Sequence, residues 1–136
     1  MWVPLPIPKE TFVPTPNYLL IAVESPLRSA ELYDRLLALK PVETSETFVL
    51  YVLPNGLKLG LWMRSTMEPT PSPPGGVEIA FSLESRKAVL QTFEEWTQLG
   101  LTVVQQPTEM DFGFTFVVAD PDGHRLRPFV LADSPK

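Results

Sequence analysis

The segments NYLLIAVESPLRSAELYDRLLALK, residues 17–40, and VEIAFSLESRKAVLQTFEEWTQLG, residues 77–100, decide how this chain is read. Placing Tyr18 on Glu78 lays Leu19 on Ile79, Ile21 on Phe81 and Val23 on Leu83. It also superimposes Glu24-Ser25 on Glu84-Ser85 and Tyr33 on Phe93. Each copy opens with an apolar strand and continues as an amphipathic helix. Leu32, Leu36 and Leu39 mark the apolar face of the first helix, and Val89, Phe93 and Trp96 that of the second. Self-similarity of this kind points to an internal duplication. Between the copies lies EPTPSPPGG, residues 68–76. Its prolines and glycines resist helix and sheet alike, so it reads as an extended connection.

More strands follow each helix. In the first half TFVLYVLP, residues 47–54, is β-branched and aromatic, and Pro54-Asn55-Gly56 is a turn signal. LKLGLWMR then alternates, with Leu57, Leu59, Leu61 and Met63 on one face and Lys58, Gly60, Trp62 and Arg64 on the other. In the second half LTVVQQ, residues 101–106, reads as a strand and EMDFG, residues 109–113, as a loop. FTFVVAD, residues 114–120, is another strand, and the DPDG turn leads into HRLRPFVL. Each half is thus β-α-β-β-β. The expected fold is α+β, with paired βαβββ modules forming a curved mixed sheet around a concave ligand cavity. The divisions are an N-terminal arm (1–16), a first module (17–67), the linker (68–76), a second module (77–131) and a tail (132–136), all one structural domain.

Composition narrows the function. A chain of 136 residues, 44% of them hydrophobic, holds one real core. It has no cysteine, which excludes disulfides, thiolate nucleophiles and cysteine-ligated metals and fits a cytoplasmic protein. A single histidine leaves few nitrogen ligands for a metal. The net charge of −5 and the lack of a basic cluster argue against nucleic acid. No run approaches the ~20 apolar residues of a membrane span. MWVPLPIPKETFVPTP, at the start, has no basic n-region and is broken by five prolines. It reads as an irregular arm packing on its own or a neighbouring subunit, not as a targeting segment.

Strand phase selects the candidate site. If Tyr18 and Glu78 face the cavity, Leu20, Ala22, Ala80 and Ser82 accompany them, while the intervening residues pack on the helices. Trp62, Arg125, Arg127 and Phe129 join them from the later strands. Met110 and Phe112, on a loop spanning Gln106 to Gly113, would border the cavity and cap an aromatic ligand. Arg127 either faces that ligand or pairs with Glu78 to close the cavity, and both readings couple the two residues. His124 reads as a strand-edge histidine bonded to backbone or solvent, and Trp96 as core.

The layout resembles the vicinal oxygen chelate superfamily, also called the glyoxalase, bleomycin-resistance and dioxygenase superfamily. The resemblance covers about residues 17–131 and is most specific in FVVADPDGHRLRPFV, similar to the family's aromatic strand, DPDG turn and final strand. SAELYDRLLAL resembles its helix, although Lys40-Pro41 replaces the usual glycine ending. In metal-using members each module supplies ligands from its first and last strands. Those positions fall here on Tyr18, Glu78, Arg127 and either Gly60 or Trp62. Only Glu78 suits a cation, so the resemblance implies neither metal ligands nor a cofactor, and no catalytic residue is assigned. The arginine in the final strand is similar to the antibiotic-binding branch, the phenazine-resistance and bleomycin-resistance proteins. It implies a metal-independent protein that sequesters a small aromatic or antibiotic ligand in a homodimeric pocket. The site expected on that basis comprises Tyr18, Leu20, Trp62, Glu78, Ala80, Met110, Phe112, Arg127 and Phe129. The alternative is a glyoxalase- or dioxygenase-like lyase or isomerase, metal-free or with non-standard ligands.

Overall fold

Each duplicated half folds into a four-stranded sheet backed by one helix in the computed structural model, which describes residues 2–6 and 14–133. The first contains β1 (Tyr18–Val23), α1 (Pro26–Leu37), β2 (Glu43–Thr44), β3 (Phe48–Val52) and β4 (Lys58–Met63), the last followed by a 3-10 turn at Arg64–Thr66. The second contains β5 (Glu78–Ser82), α2 (Arg86–Thr97), β6 (Thr102–Met110), β7 (Gly113–Ala119) and β8 (Arg125–Leu131). The strand orders are β1-β4-β3-β2 and β5-β8-β7-β6, with β1/β4 and β5/β8 parallel and the other pairs antiparallel. The α+β class and the paired βαβββ modules are as expected.

The repeated Glu-Ser pairs have a local cause. Ser25 and Ser85 are the N-caps of the two helices, their hydroxyls accepting from the backbone N–H of Arg28 and Ala88. These bonds satisfy amides that the first helical turn leaves without partners. Pro26 then opens α1, where its missing N–H costs nothing. Without a glycine to end it, α1 stops at Leu37 with Ala38 in the left-handed region, φ 52°. Leu39, expected on the helix face, therefore lies just beyond the helix.

Alternation sends Ile21, Val23, Leu59 and Leu61 from the first sheet, and Phe114, Phe116, Val118, Leu126 and Val130 from the second, into one hydrophobic core. Ala30, Tyr33 and Leu36 of α1 and Val89 and Trp96 of α2 complete it. Trp96 is a core residue, meeting Phe81 and Phe116 edge-on at ring separations of 5.1 and 6.0 Å.

The DPDG turn fastens one module to the other. Buried Asp120 accepts the Tyr33 hydroxyl at 2.7 Å and, through its other oxygen, the backbone N–H groups of Asp122 and His124. Burial, reinforced by the charge of Asp120, pushes the Tyr33 phenol far above its ordinary value. Asp122 accepts from Glu24 N–H at 2.8 Å and from the Ser29 hydroxyl. His124 Nε2 donates to the Ala22 carbonyl at 2.7 Å, the backbone bond expected of it.

Two expectations are corrected. The sheets do not close into a single curved cavity: β1 and β5 are edge strands, paired only with β4 and β8. The modules meet through a shared core and the DPDG turn instead. The loop expected over Gln106 to Gly113 is mostly strand, since β6 runs to Met110 before turning at Asp111 and Phe112. Register shifts between Val103 and Thr108 absorb Pro107, which an edge strand tolerates at a bulge. In the arm, residues 2–6 have no secondary structure and Trp2, Val3 and Leu5 are exposed. For residues 1 and 7–13 the expected packing of the arm lies outside the described residues, as do residues 134–136 of the tail.

Candidate functional site

The faces turned away from the core carry the predicted residues. On the first sheet these are Tyr18, Leu20, Gly60 and Trp62, joined by Lys58, Phe48 and Leu50 through strand register. Tyr18 and Leu20 are exposed and Trp62 is half-buried, meeting Phe48 edge-on at 6.3 Å. On the second sheet Glu78, Ala80, Arg125, Arg127 and Phe129 share the outer face. Phe112 packs edge-on against Phe129 at 6.1 Å, and both Met110 and Phe112 remain exposed. The structure therefore brings Phe112 to Phe129 and Glu78 to Arg127. Tyr18, Leu20 and Trp62 belong to the other sheet.

Glu78 and Arg127 form the best-defined polar arrangement on these faces. Arg127 Nε donates to Oε1 of Glu78 at 2.6 Å, and its NH2 to Oε2 at 3.2 Å, a two-pronged pair. Its NH1 donates to Gln105 Oε1 at 3.1 Å and to the buried Thr115 hydroxyl at 3.4 Å. Arg125 adds a second cation, with NH2 2.8 Å from Glu78 Oε2. The Arg127 hydrogen bonds hold the Glu78 carboxyl below the usual carboxylate range, against the opposing effect of partial burial. Sequence reasoning named this pair but missed Gln105 and Thr115. Their signal was strand phase: both lie on the Arg127 face, opposite each other's neighbours across β6 and β7.

Parallel register removes an ambiguity. Leu20 stands beside Gly60 in the first module and Ala80 beside Arg127 in the second. Since Leu20 superimposes on Ala80, Gly60 and not Trp62 is the counterpart of Arg127. Trp62 is the counterpart of Phe129, and Lys58 of Arg125.

Comparison with known proteins matches this architecture. Residues 15–127 match the Glyoxalase/Bleomycin resistance protein/Dioxygenase superfamily. The chain belongs to this superfamily. It is 30% identical over 116 residues to the phenazine antibiotic resistance protein EhpR of Enterobacter agglomerans, covering 83% of this chain and 89% of that one. The solution NMR structure of protein ATC0852 from Agrobacterium tumefaciens is 46% identical, covers 88% of this chain and 99% of that one, and superimposes with a TM-score of 0.83. A glyoxalase-related enzyme from Fulvimarina pelagi shares the fold, with a TM-score of 0.79, at 19% identity over 90% of this chain and 96% of its own.

Membership raises the question of a metal, because some members of the superfamily use one. The donor set does not fit. The four corresponding positions hold Tyr18, Gly60, Glu78 and Arg127, and the one carboxylate among them is engaged by two guanidinium groups. A cation arriving at Glu78 would have to displace both arginines and then sit beside their charges. Among the described residues no group of three or more His, Asp or Glu side chains is placed to hold an ion. Nor is any described helix long and apolar enough to cross a membrane.

Proposed function

We propose that this chain is a metal-independent binding protein that sequesters a small aromatic ligand of the phenazine or bleomycin type. The observation that carries the reading is the Glu78–Arg127 pair. A residue standing at a metal-ligand position of the superfamily is committed to two arginines, and the polar group left at the site is a fixed, hydrogen-bonded guanidinium. Retention needs shape, stacking and a few hydrogen bonds, not groups aimed at a charge developing in a transition state. Tyr18, Leu20 and Trp62 supply an apolar wall, Phe112 and Phe129 a second, Met110 an adaptable edge, and Ala80 leaves room beside Arg127. The antibiotic-resistance role of the 30% identical phenazine resistance protein supports the ligand class.

The pocket in this reading is built by two copies of the chain. The two walls lie on separate sheets, and each carries exposed apolar residues, Tyr18 and Leu20 on one and Met110 and Phe112 on the other. A second copy laid over the two walls covers them and brings them face to face, twice over by symmetry. The same reading places the protein in the cytoplasm, where a cysteine-free chain loses nothing.

The test is a tryptophan-fluorescence titration of metal-stripped protein with phenazine and with bleomycin, alongside light scattering. Saturation near one ligand per chain by a particle of two chains is expected, with unaltered ligand recovered afterwards. Arg127→Ala weakens that binding about tenfold, the scale of one lost hydrogen bond to a charged group. Binding that appears only after a divalent metal is restored would overturn the proposal.

A further inference from the structure

The Pro-rich linker is more than a tether. Pro71 to Gly75 roof a cavity of about 330 Å³ whose floor is the free edge of β1, Leu19 to Ala22, with Ile79 of β5 opposite. That volume lies at the small end of the ~300–1,000 Å³ typical of ligand pockets. It shares Leu20 with the walls assigned to the aromatic ligand above and Arg125 with the Glu78 ion pair, and the rest of its lining lies outside that site.

Its ionisable groups are all basic. Arg64, His124 and Arg125 line it, and among the described residues no carboxylate does, in a chain where acids outnumber bases sixteen to eleven. The Arg64 guanidinium touches only the Pro71 and Ser72 carbonyls, at 3.4 and 3.5 Å, and meets no carboxylate among the described residues. Those contacts tie the roof down and leave a full positive charge at the wall. Arg125 is held by one nitrogen, Nη2, on Glu78. His124 spends Nε2 on the Ala22 carbonyl, which keeps its ring against the floor. Apart from Ser72, whose carbonyl already accepts from Arg64, the remaining lining is apolar, with Leu20, Met67, Val77 and the prolines in it.

We infer that this cavity is a second binding site, taking a small organic monocarboxylate with an apolar body. The carboxylate sits between Arg64 and Arg125 and the hydrocarbon lies under the linker. Opposite charge in a largely apolar, part-enclosed space outweighs its strength in bulk water. An amine of the same shape meets two guanidinium groups and is rejected.

The chain's single histidine makes the test local. Carbon–proton NMR of the His124 imidazole is followed while naphthoate is added to the full-length protein, with naphthalenemethanol and naphthylmethylamine as isosteric controls. The expected result is a saturable His124 shift with naphthoate and at least tenfold weaker binding of both controls. Arg64→Gln lowers naphthoate affinity about tenfold, with the rest of the spectrum preserved. A His124 signal unmoved by millimolar naphthoate, or equal binding of the alcohol, overturns the inference. Tryptophan quenching by phenazine is read separately, so failure of one site leaves the other assignment standing.

Discussion

The two outer faces began as copies and have exchanged large for small. In the first module Leu20 is large and its neighbour Gly60 has no side chain: a Cβ at Gly60 would come within 2.7 Å of Leu20 Cδ2 and 2.8 Å of the Phe48 ring. In the second module Ala80 is small and its neighbour Arg127 is long. The charged positions diverge in parallel. Lys58 lies 5.0 Å from the centre of the Tyr18 ring where Arg125 grips Glu78. One scaffold thus carries a hydrocarbon surface on one sheet and a pinned ion pair on the other. In both modules this pair of neighbouring strands sets a large residue beside a small one, with the order reversed, so the space one side chain gives up is taken by its neighbour.

The comparison breaks first at the ion pair. Glu78→Ala leaves Arg127, whose side chain is 18% exposed, without its carboxylate, and Arg125 without its anchor. Urea denaturation should show a loss of about 2 kcal/mol, below the ~3–5 kcal/mol of fully buried pairs because solvent reaches this one. The equivalent Tyr18→Ala gives up an exposed contact and should cost ~0.5 kcal/mol or less.

Acid separates the faces next. Because Arg127 lowers the Glu78 pKa in the folded state, the stabilisation is present above the unfolded carboxylate value, ~4.3, and fades as pH falls through the folded value. Thermal unfolding followed downward from pH ~5 should show that slope in the native protein and a shallower one in Arg127→Met. An unchanged slope would mean that the pair carries none of the acid sensitivity.

The smallest effect tests the exchange of volumes itself. Gly60→Ala forces Leu20 and Phe48 aside and should cost ~1 kcal/mol. Adding Leu20→Ala gives the first module the small neighbour that the second already has. The double variant should then be more stable than the two single losses added together, by ~0.5 kcal/mol or more.

Much of this was legible before the structure. Alternation assigned inner and outer faces on β1, β4, β5 and β8 correctly, because a period of two leaves only two choices once one face is buried. The link between Glu78 and Arg127 followed from the same phase. The choice between Gly60 and Trp62 did not, since the register of parallel strands joined by a long crossover is fixed by packing and not by a turn. Pro107 hid the second half of β6 because a bulge accommodates a residue that ordinarily ends a strand. The closed cavity was read from a sheet assumed continuous, and sequence carries no signal for which edges pair. Least visible was Asp120. In a DPDG turn an aspartate suggests a solvated corner, yet this one is 4% exposed beneath the Tyr33 hydroxyl.

That corner has a bearing on how the chain becomes a protein at all. Tyr33 waits for a partner 87 residues downstream, and the Ala22 carbonyl for one 102 residues away. Closing loops of that span costs entropy before any contact rewards it. During synthesis the first module emerges with its helix missing a buried neighbour, and that vacancy is filled only when the closing hairpin leaves the ribosome. The duplicated halves are therefore not two folding units in series. Asp120 and His124 of the closing hairpin complete the packing and hydrogen bonding of Tyr33 and Ala22 in the first module.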